Sequence, residues 1–149
     1  MNNADHFSKQ AAAYRQYRPH YPRELYNFIL SITPGRERAW DCATGNGQVA
    51  FQLAKHFEEV VATDLSKEQL AHALKRENID YYVATASDSE LPDHSVDLIT
   101  VGQGLHWFHG PDFYKEVKRV ARPGALFAAW SYAKHTVDIK VDTISRKLA

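Results

Sequence analysis

Apolar positions fall into two patterns that alternate along the chain. Short continuous apolar runs predict buried strands, and apolar residues that recur every three or four positions predict amphipathic helices. The runs that predict strands lie at residues 39–43, 59–63, 79–84, 96–101 and 125–130. The predicted helices have inward stripes of Leu25, Phe28, Ile29 and Ile32, of Val49, Leu53 and Phe57, of Leu70, Ala73 and Leu74, and of Phe113, Val117 and Val120.

Local signals mark where two of the helices begin. Pro22 suits the first position of a helix, because its backbone angle is already helical and its missing N–H is not needed there. Ser66 is a candidate helix cap, and Gln69 three residues later completes the pattern of a capping box. Leu65 and Leu70 stand where a hydrophobic staple would pack. These signals place a helix directly after the second strand.

Strands joined by helices predict an α/β domain with a parallel sheet, right-handed crossovers and helices on both faces. In such a sheet, ligands bind beyond the carboxyl ends of the strands, where the strand order reverses. Function is therefore expected in the loops that follow Ala43, Thr63, Thr85 and Val101.

Composition narrows the class of protein. The 149 residues fit one domain, and the 18 basic and 18 acidic side chains cancel, which argues against a nucleic-acid-binding face. The single cysteine, Cys42, excludes an internal disulfide and suits a reducing compartment. The N-terminus has no signal-like apolar core, and no apolar run is long enough to span a bilayer. We therefore expect a cytoplasmic protein that binds neither membranes nor nucleic acid.

The segment 40–50 carries the strongest chemical signal, because it joins the first strand to a helix through two glycines. Gly45 and Gly47 allow a sharp bend and a close approach of the backbone to a ligand. The N–H groups at the start of the next helix favour an electron-rich ligand group. Asp64 ends the second strand, nineteen residues after Gly45, where a carboxylate can accept hydrogen bonds from both hydroxyls of a ribose. Together these features predict a nucleoside-containing cofactor rather than a capped tight turn.

Two nucleoside cofactors fit this segment. Residues 45–50 match the dinucleotide fingerprint G-x-G-x-x-G/A, which alone is a weak signal. Asp41 discriminates between the two, because a carboxylate beneath the glycine turn would repel a pyrophosphate and attract an ammonium and a sulfonium. S-adenosyl-L-methionine is therefore favoured over NAD, and a nicotinamide-dependent oxidoreductase is the less favoured alternative.

Five segments resemble, in order, the motifs of class I S-adenosylmethionine-dependent methyltransferases: residues 40–50, 60–66, 84–92, 95–100 and 120–126. Residues 7–9, 17–22 and 105–108 resemble the methyltransferase type 11 subgroup that includes trans-aconitate methyltransferase-like proteins. The resemblance implies a Rossmann-like, doubly wound sheet with strand order 3-2-1-4-5. It also implies an enzyme that transfers a methyl group from S-adenosyl-L-methionine to a small-molecule acceptor.

The resemblance also implies roles for the residues of the glycine turn. Asp41, Gly45 and Gly47 would hold the methionine part of the cofactor, and Asp64 would take the ribose hydroxyls. Ala43 stands where the family has its first glycine. Its methyl group would lie beside the ligand, and we expect it to be tolerated because the position is at the end of a strand.

The adenine and sulfonium ends of the cofactor have candidates in later loops. Leu65 would lie against the adenine face, and Ser87 and Asp88 would border the ring, at the position where the family has an acid near the adenine amino group. Gln103, just past the fourth strand, would lie near the sulfonium.

Two further segments have less specific signals. Tyr17 and Arg18 are candidates for a lid over the cofactor. The alternative, which we weight equally, is that they only cover the edge of the sheet. His106 is the candidate catalytic base for a hydroxyl or amine acceptor, with packing between helix and sheet as the equal alternative. No metal site is expected, because His106 and His109 lack a visible third ligand.

The C-terminal tail is ambiguous. Residues 137–141 alternate as in a strand, while Val141, Ile144 and Leu148 have helical spacing, and a helix over 138–148 is favoured. The family has seven strands, the last two forming an antiparallel hairpin, so the sixth and seventh are expected to be lacking here. The exposed edge of the fifth strand would then favour a homodimer.

The expected organisation is one structural domain, with an N-terminal lid and helical segment at 1–36 and an incomplete cofactor-binding domain at 37–149. Because the segment that covers the substrate follows the fifth strand in the family, the chain is expected to be cut short at its C-terminus. A non-catalytic S-adenosylmethionine-binding module is therefore the alternative to an active methyltransferase.

Overall fold

The computed structural model describes residues 21–102, 110–133 and 136–144. Four helices and six strands lie in these ranges. In chain order they are α1 (Arg23–Ile32), β1 (Arg38–Cys42), α2 (Gln48–Leu53), β2 (Glu59–Asp64), α3 (Lys67–Ala71), β3 (Ile79–Val83), β4 (Val96–Gly102), α4 (Pro111–Val120), β5 (Ala121–Ala133) and β6 (Thr136–Thr143).

The strands form one sheet with the order β3-β2-β1-β4-β5-β6. Neighbours from β3 to β5 are parallel, so the Rossmann-like order 3-2-1-4-5 is confirmed. Helices join β1 to β2, β2 to β3 and β4 to β5, whereas a loop without a helix joins β3 to β4. The order reverses between β1 and β4, where a crevice is expected beyond the strand ends. The loop after β1 therefore leaves the sheet at its topological switch point.

Apolar side chains pack on both faces of the sheet, because the central strands carry buried apolar residues on both sides. One core packs α1 and α2 on the sheet around Ile29, Leu53 and Leu98. The other packs α4 on the opposite face around Val117 and Val120. The predicted stripes of α2 and α4 are confirmed, since their members are all buried: Val49, Leu53, Phe57, Phe113, Val117 and Val120.

The stripe of α1 differs from the prediction. Leu25 and Ile29 are buried as expected, but Phe28 is 46% exposed and Ile32 is 42% exposed. Tyr26, which lies on the other side of Leu25 around the helix, completes the buried face instead. Apolar spacing alone could not decide which of the two aromatic residues faces the sheet.

The described part of the tail is a strand, so the prediction of a helix over 138–148 is wrong for residues 138–143, and residues 145–148 lie outside the described residues. β6 pairs antiparallel with β5, from Leu126 opposite Thr143 to Ala133 opposite Thr136. The pairing continues past the strand, since Gly124 N–H donates to Ile144 C=O at 2.7 Å and Ile144 N–H donates to Ala125 C=O at 2.8 Å. The strand pattern prevails over the helical spacing because the backbone N–H and C=O groups of β5 would otherwise lack partners on this side.

This hairpin corrects two further expectations. A sixth strand is present, and the edge of β5 is covered rather than exposed. The exposed β5 edge, through which a homodimer was expected, is therefore occupied by β6. Within the described ranges, no helix has the length and apolar character needed to cross a membrane.

Candidate functional site

The loop between β1 and α2 bends sharply and depends on its glycines. Gly45 and Gly47 both have positive φ angles, of 60° and 82°. Thr44 N–H donates to Thr63 C=O at 2.9 Å, which ties the loop to the end of β2. A side chain at Gly47 would also collide with the Tyr81 hydroxyl. The turn therefore tolerates no side chain at Gly47, as the sequence pattern indicated.

Ala43 also has a positive φ angle, of 57°. An L-residue with a Cβ pays roughly 1 kcal/mol for this left-handed conformation, whereas glycine does not. The departure from the family pattern at Ala43 therefore places a strained residue at the start of the turn.

Asp41 lies directly beneath this turn, in the middle of the sheet. Its side chain is 1% exposed. Thr44 Oγ1 donates to Asp41 Oδ2 at 2.6 Å, and Thr100 Oγ1 donates to Oδ1 at 2.7 Å. Burial raises the pKa of Asp41 to about 7, although both hydroxyls act in the opposite direction. Asp41 is therefore a carboxyl group that is poised between its neutral and charged forms near neutral pH.

Asp64 ends β2 and is half-buried beside the same turn. Its Oδ2 accepts the Gly45 N–H at 2.8 Å, and its Oδ1 accepts the Ser66 N–H at 2.8 Å. Burial raises the pKa of Asp64, while these backbone hydrogen bonds oppose the rise. Each oxygen retains a further lone pair, so the oriented carboxylate can also accept hydrogen bonds from a ligand.

The two acids lie on neighbouring strands at the same edge of the sheet. Asp41 is paired in register with Ala62, two residues before Asp64 on β2. They are close enough for the charge of Asp64 to raise the pKa of Asp41 further. The turn that begins at Ala43 passes between them, so the structure brings together the acids and glycines that the sequence singled out.

Three candidates for the adenine side lie in the loops that follow β2 and β3. Leu65 follows Asp64 in the chain and is 60% exposed, which leaves an apolar surface open beside the carboxylate. Ala84 N–H donates to Asp64 C=O at 3.2 Å, so the loop after β3 is anchored to the same residue. Ser87 and Asp88 are exposed in that loop, within a tight turn closed by a hydrogen bond from Asp88 N–H to Thr85 C=O at 3.3 Å.

The helix start at Ser66 is only partly as predicted. Ser66 Oγ accepts the Gln69 N–H at 3.1 Å, which confirms the cap. The reciprocal bond of a capping box is not formed, because the Ser66 N–H donates to Asp64 instead. Leu65 is exposed rather than buried in a staple. Asp64, at the end of β2, thus binds the N–H group that the capping box would have used at the start of α3.

Sequence reasoning missed the two threonines that hold Asp41. Thr44 stands three residues after Asp41 inside the turn, which is a local signal that could have been used. Thr100 is 59 residues away, and only the pairing of β1 with β4, which sets Asp41 opposite Thr100, brings the two together. Four other candidates, Tyr17, Arg18, Gln103 and His106, lie outside the described residues.

Comparison with known proteins gives a consistent result. Residues 40–129 match a family model described as a methyltransferase domain. A Dictyostelium discoideum protein named "Putative methyltransferase" is 40% identical over 129 residues, which are 86% of this chain and 49% of that protein. A Saccharomyces cerevisiae protein named "Probable S-adenosylmethionine-dependent methyltransferase" is 30% identical over 132 residues, which are 83% of this chain and 45% of that protein.

A solved structure resembles the chain as well. The structure of a "Putative Type II Methyltransferase" from Anaeromyxobacter dehalogenans is 44% identical and superposes with a TM-score of 0.75, covering 81% of this chain and 52% of that one. The chain therefore spans about half the length of the relatives that it matches.

Proposed function

This chain belongs to the class I S-adenosylmethionine-dependent methyltransferases, and we propose that it binds S-adenosyl-L-methionine and serves methyl transfer to a small-molecule acceptor. The observation that carries the proposal is the placement of Asp41 and Asp64 on either side of one glycine turn. One acid is suited to a positive charge, and the other is suited to a pair of hydroxyl groups. S-adenosyl-L-methionine carries both kinds of group.

The chemistry of Asp41 supports this cofactor over a dinucleotide. A buried carboxylate that has no cationic partner among the described residues disfavours a pyrophosphate and favours a ligand with an ammonium and a sulfonium. Because Asp41 is 1% exposed, it would attract the ligand electrostatically from beneath the turn rather than from an open surface. The positive φ angles of Gly45 and Gly47 bend the backbone into the turn above which the methionine part would lie.

The remaining contacts are assigned by the same reasoning. Asp64 would hold the ribose through the lone pairs that its backbone partners leave free. The exposed Leu65 would cover one face of adenine, with Ser87 and Asp88 at the rim of the ring. The cofactor supplies an already activated methyl group, so the protein has to bind, orient and exclude water rather than activate an electrophile.

The acceptor side of the proposal rests on the sequence. We assign the chain to the trans-aconitate methyltransferase-like subgroup and expect a small acid or metabolite as the acceptor, because the 18 basic and 18 acidic residues leave no net charge to attract nucleic acid. In this proposal Gln103 lies near the sulfonium, Tyr17 and Arg18 form the lid, and His106 serves an acceptor that must lose a proton.

Calorimetry with S-adenosylhomocysteine and NAD side by side tests the cofactor. S-adenosylhomocysteine keeps the adenosine, the ribose hydroxyls and the amino acid group, so it should bind this chain and NAD should not. Preference for NAD would overturn the proposal and favour an oxidoreductase.

A second assay tests turnover. The chain is incubated with S-adenosyl-L-methionine and a panel of small carboxylic acids, and S-adenosylhomocysteine release is measured. Release that depends on an acceptor supports the enzyme. Tight cofactor binding without release on any acceptor favours a non-catalytic binding module.

A further inference from the structure

Gln69 is a buried residue beside the glycine turn, and its amide nitrogen has no partner among the described residues. Its side chain is 5% exposed. A methyl group placed on Gly45 would lie 3.8 Å from both Gln69 Nε2 and Gln69 Oε1, so the amide lies against the turn. The Nε2 atom is buried and has no hydrogen-bond partner in the part of the chain that the structure describes.

The local structure explains why this amide is available. In a capping box, the residue at this position bonds back to the N–H of the capping serine. Here the Ser66 N–H donates to Asp64 at 2.8 Å, and only the backbone N–H of Gln69 takes part in the cap, at 3.1 Å from Ser66 Oγ. The side-chain amide is thereby released toward Gly45.

An unpaired buried donor destabilises a fold, because it loses its hydrogen bonds to water and gains none. Such a group is expected to have a partner in the functional state of the protein. The turn that Gln69 contacts is the one that the proposed function assigns to the cofactor, and the inference rests on that assignment.

We propose that Gln69 Nε2 donates a hydrogen bond to a ribose hydroxyl oxygen of the ligand bound at the glycine turn. A hydroxyl group is both a donor and an acceptor. Asp64 can only accept, and it is oriented by the N–H of Gly45, the residue that Gln69 contacts. An acid and an amide donor on either side of one glycine therefore form a matched pair for a hydroxyl group. Gln69 would be a positioning residue for the ribose.

The test replaces Gln69 by an apolar side chain of similar length and measures binding and stability separately. The Gln69→Met variant should bind S-adenosylhomocysteine about fivefold to tenfold more weakly than wild type, which corresponds to one neutral hydrogen bond. Without ligand it should melt at the same temperature as wild type or above it, because a buried unpaired donor has been removed. Gln52→Met, at a half-buried glutamine of α2, is the matched control and should change neither quantity.

A second ligand identifies the group that Gln69 serves. 5′-Methylthioadenosine keeps the ribose and lacks the amino acid part, so the loss in Gln69→Met should be the same factor for this ligand. A Gln69→Glu variant, which replaces the donor by an acceptor beside Asp64, should lose more affinity than Gln69→Met for both ligands.

The outcomes separate this inference from the proposed function. If wild type does not bind S-adenosylhomocysteine, the proposed function itself fails. If wild type binds and Gln69→Met binds equally well, the proposed function stands and the role of Gln69 is wrong. A ligand-free Gln69→Met protein that melts well below wild type would indicate a structural role, and a loss confined to S-adenosylhomocysteine would exclude the ribose contact.

Discussion

Buried carboxylates occur in two regions of this chain, and the two regions compensate their charge differently. Away from the glycine turn, Asp97 at the start of β4 and Glu116 on α4 are each 6% exposed, and each is paired with an arginine. At the glycine turn, neither Asp41 nor Asp64 is paired with a cationic side chain among the residues that the structure describes.

The arginine-paired acids are compensated within the fold. Arg122 donates to Asp97 at 3.0 Å. Arg119 donates to Glu116 at 2.8 Å, and the N–H and hydroxyl of Ser89 donate to the same carboxylate at 2.7 Å. Burial alone would raise the pKa of Glu116, but these hydrogen bonds outweigh it and lower the pKa to about 2. Glu116 is therefore charged, and for each of the two acids an arginine of the fold supplies the opposite charge.

Within the described ranges, the acids at the turn accept hydrogen bonds only from hydroxyl and backbone N–H groups, and their pKa values are raised. Neutral donors do not fully offset the free energy of burying a charge. The contrast supports the proposed function, in which a cationic ligand supplies the charge that the described residues do not, since acids with raised pKa values are typical of functional sites. The following changes test this contrast, from the largest expected effect to the smallest.

Replacing Asp64 removes the proposed ribose contact altogether. Asp64→Ala should weaken binding of S-adenosylhomocysteine by about 100-fold or more, because hydrogen bonds to a charged group contribute roughly 1.5–3 kcal/mol each. Calorimetry measures the loss. Asp80→Ala, at an exposed acid on the neighbouring strand β3, is the matched control and should leave the affinity unchanged. Equal binding by both variants would mean that the ribose contact is misplaced.

Breaking an arginine pair should affect stability and not binding. Arg122→Met leaves Asp97 buried with only the backbone N–H groups of Glu37 and Arg38 as partners. The free energy of unfolding should fall by about 2 kcal/mol, which is less than for a fully buried pair because the arginine is partly exposed. Urea unfolding measures this value. A change in ligand affinity of more than about twofold for the folded protein would contradict the separation of the two regions.

Neutralising Asp41 should have the opposite effect on stability. Its pKa in the folded protein lies above the unfolded value of 3.8, at about 7, so its contribution to stability is present below pH 4 and is lost as the pH rises to 7. Asp41→Asn should therefore raise the free energy of unfolding at neutral pH, by on the order of 2 kcal/mol, and flatten its pH dependence between 4 and 7. If Asp41→Asn were less stable than wild type at pH 7.5, the folded protein would not favour the neutral form of the Asp41 carboxyl group.

The same titration should appear in ligand binding, as the smallest effect. The affinity for S-adenosylhomocysteine should rise about fivefold between pH 6 and pH 7.5, because the ammonium group of the ligand is attracted only to the charged form of Asp41. The pH dependence is measured by calorimetry on wild type and Asp41→Asn. An equal rise in both proteins would assign the titration to another group.

The sequence predicts the parts of this molecule whose determinants are local. The strands β1 to β4 are predicted to within one or two residues, because each is a short apolar run bounded by turn residues. The glycine turn and both acids follow from residues that are close together in the chain. The partner of Asp41 at Thr100 does not, because strand pairing brings the two together across 59 residues. In the sequence, a helix is favoured over the strand β6 for the same reason, since only the pairing of β6 with β5 separates the two patterns.

The most direct test is the pKa of the Asp41 carboxyl group, measured by carbon NMR in the free protein and with saturating S-adenosylhomocysteine. The structure gives a pKa of about 7 for the free protein. A positively charged group bound above the turn should lower it to about 6 or below. An Asp41 pKa that is unchanged or higher in the complex would contradict the claim that this acid is kept uncompensated for a cationic ligand.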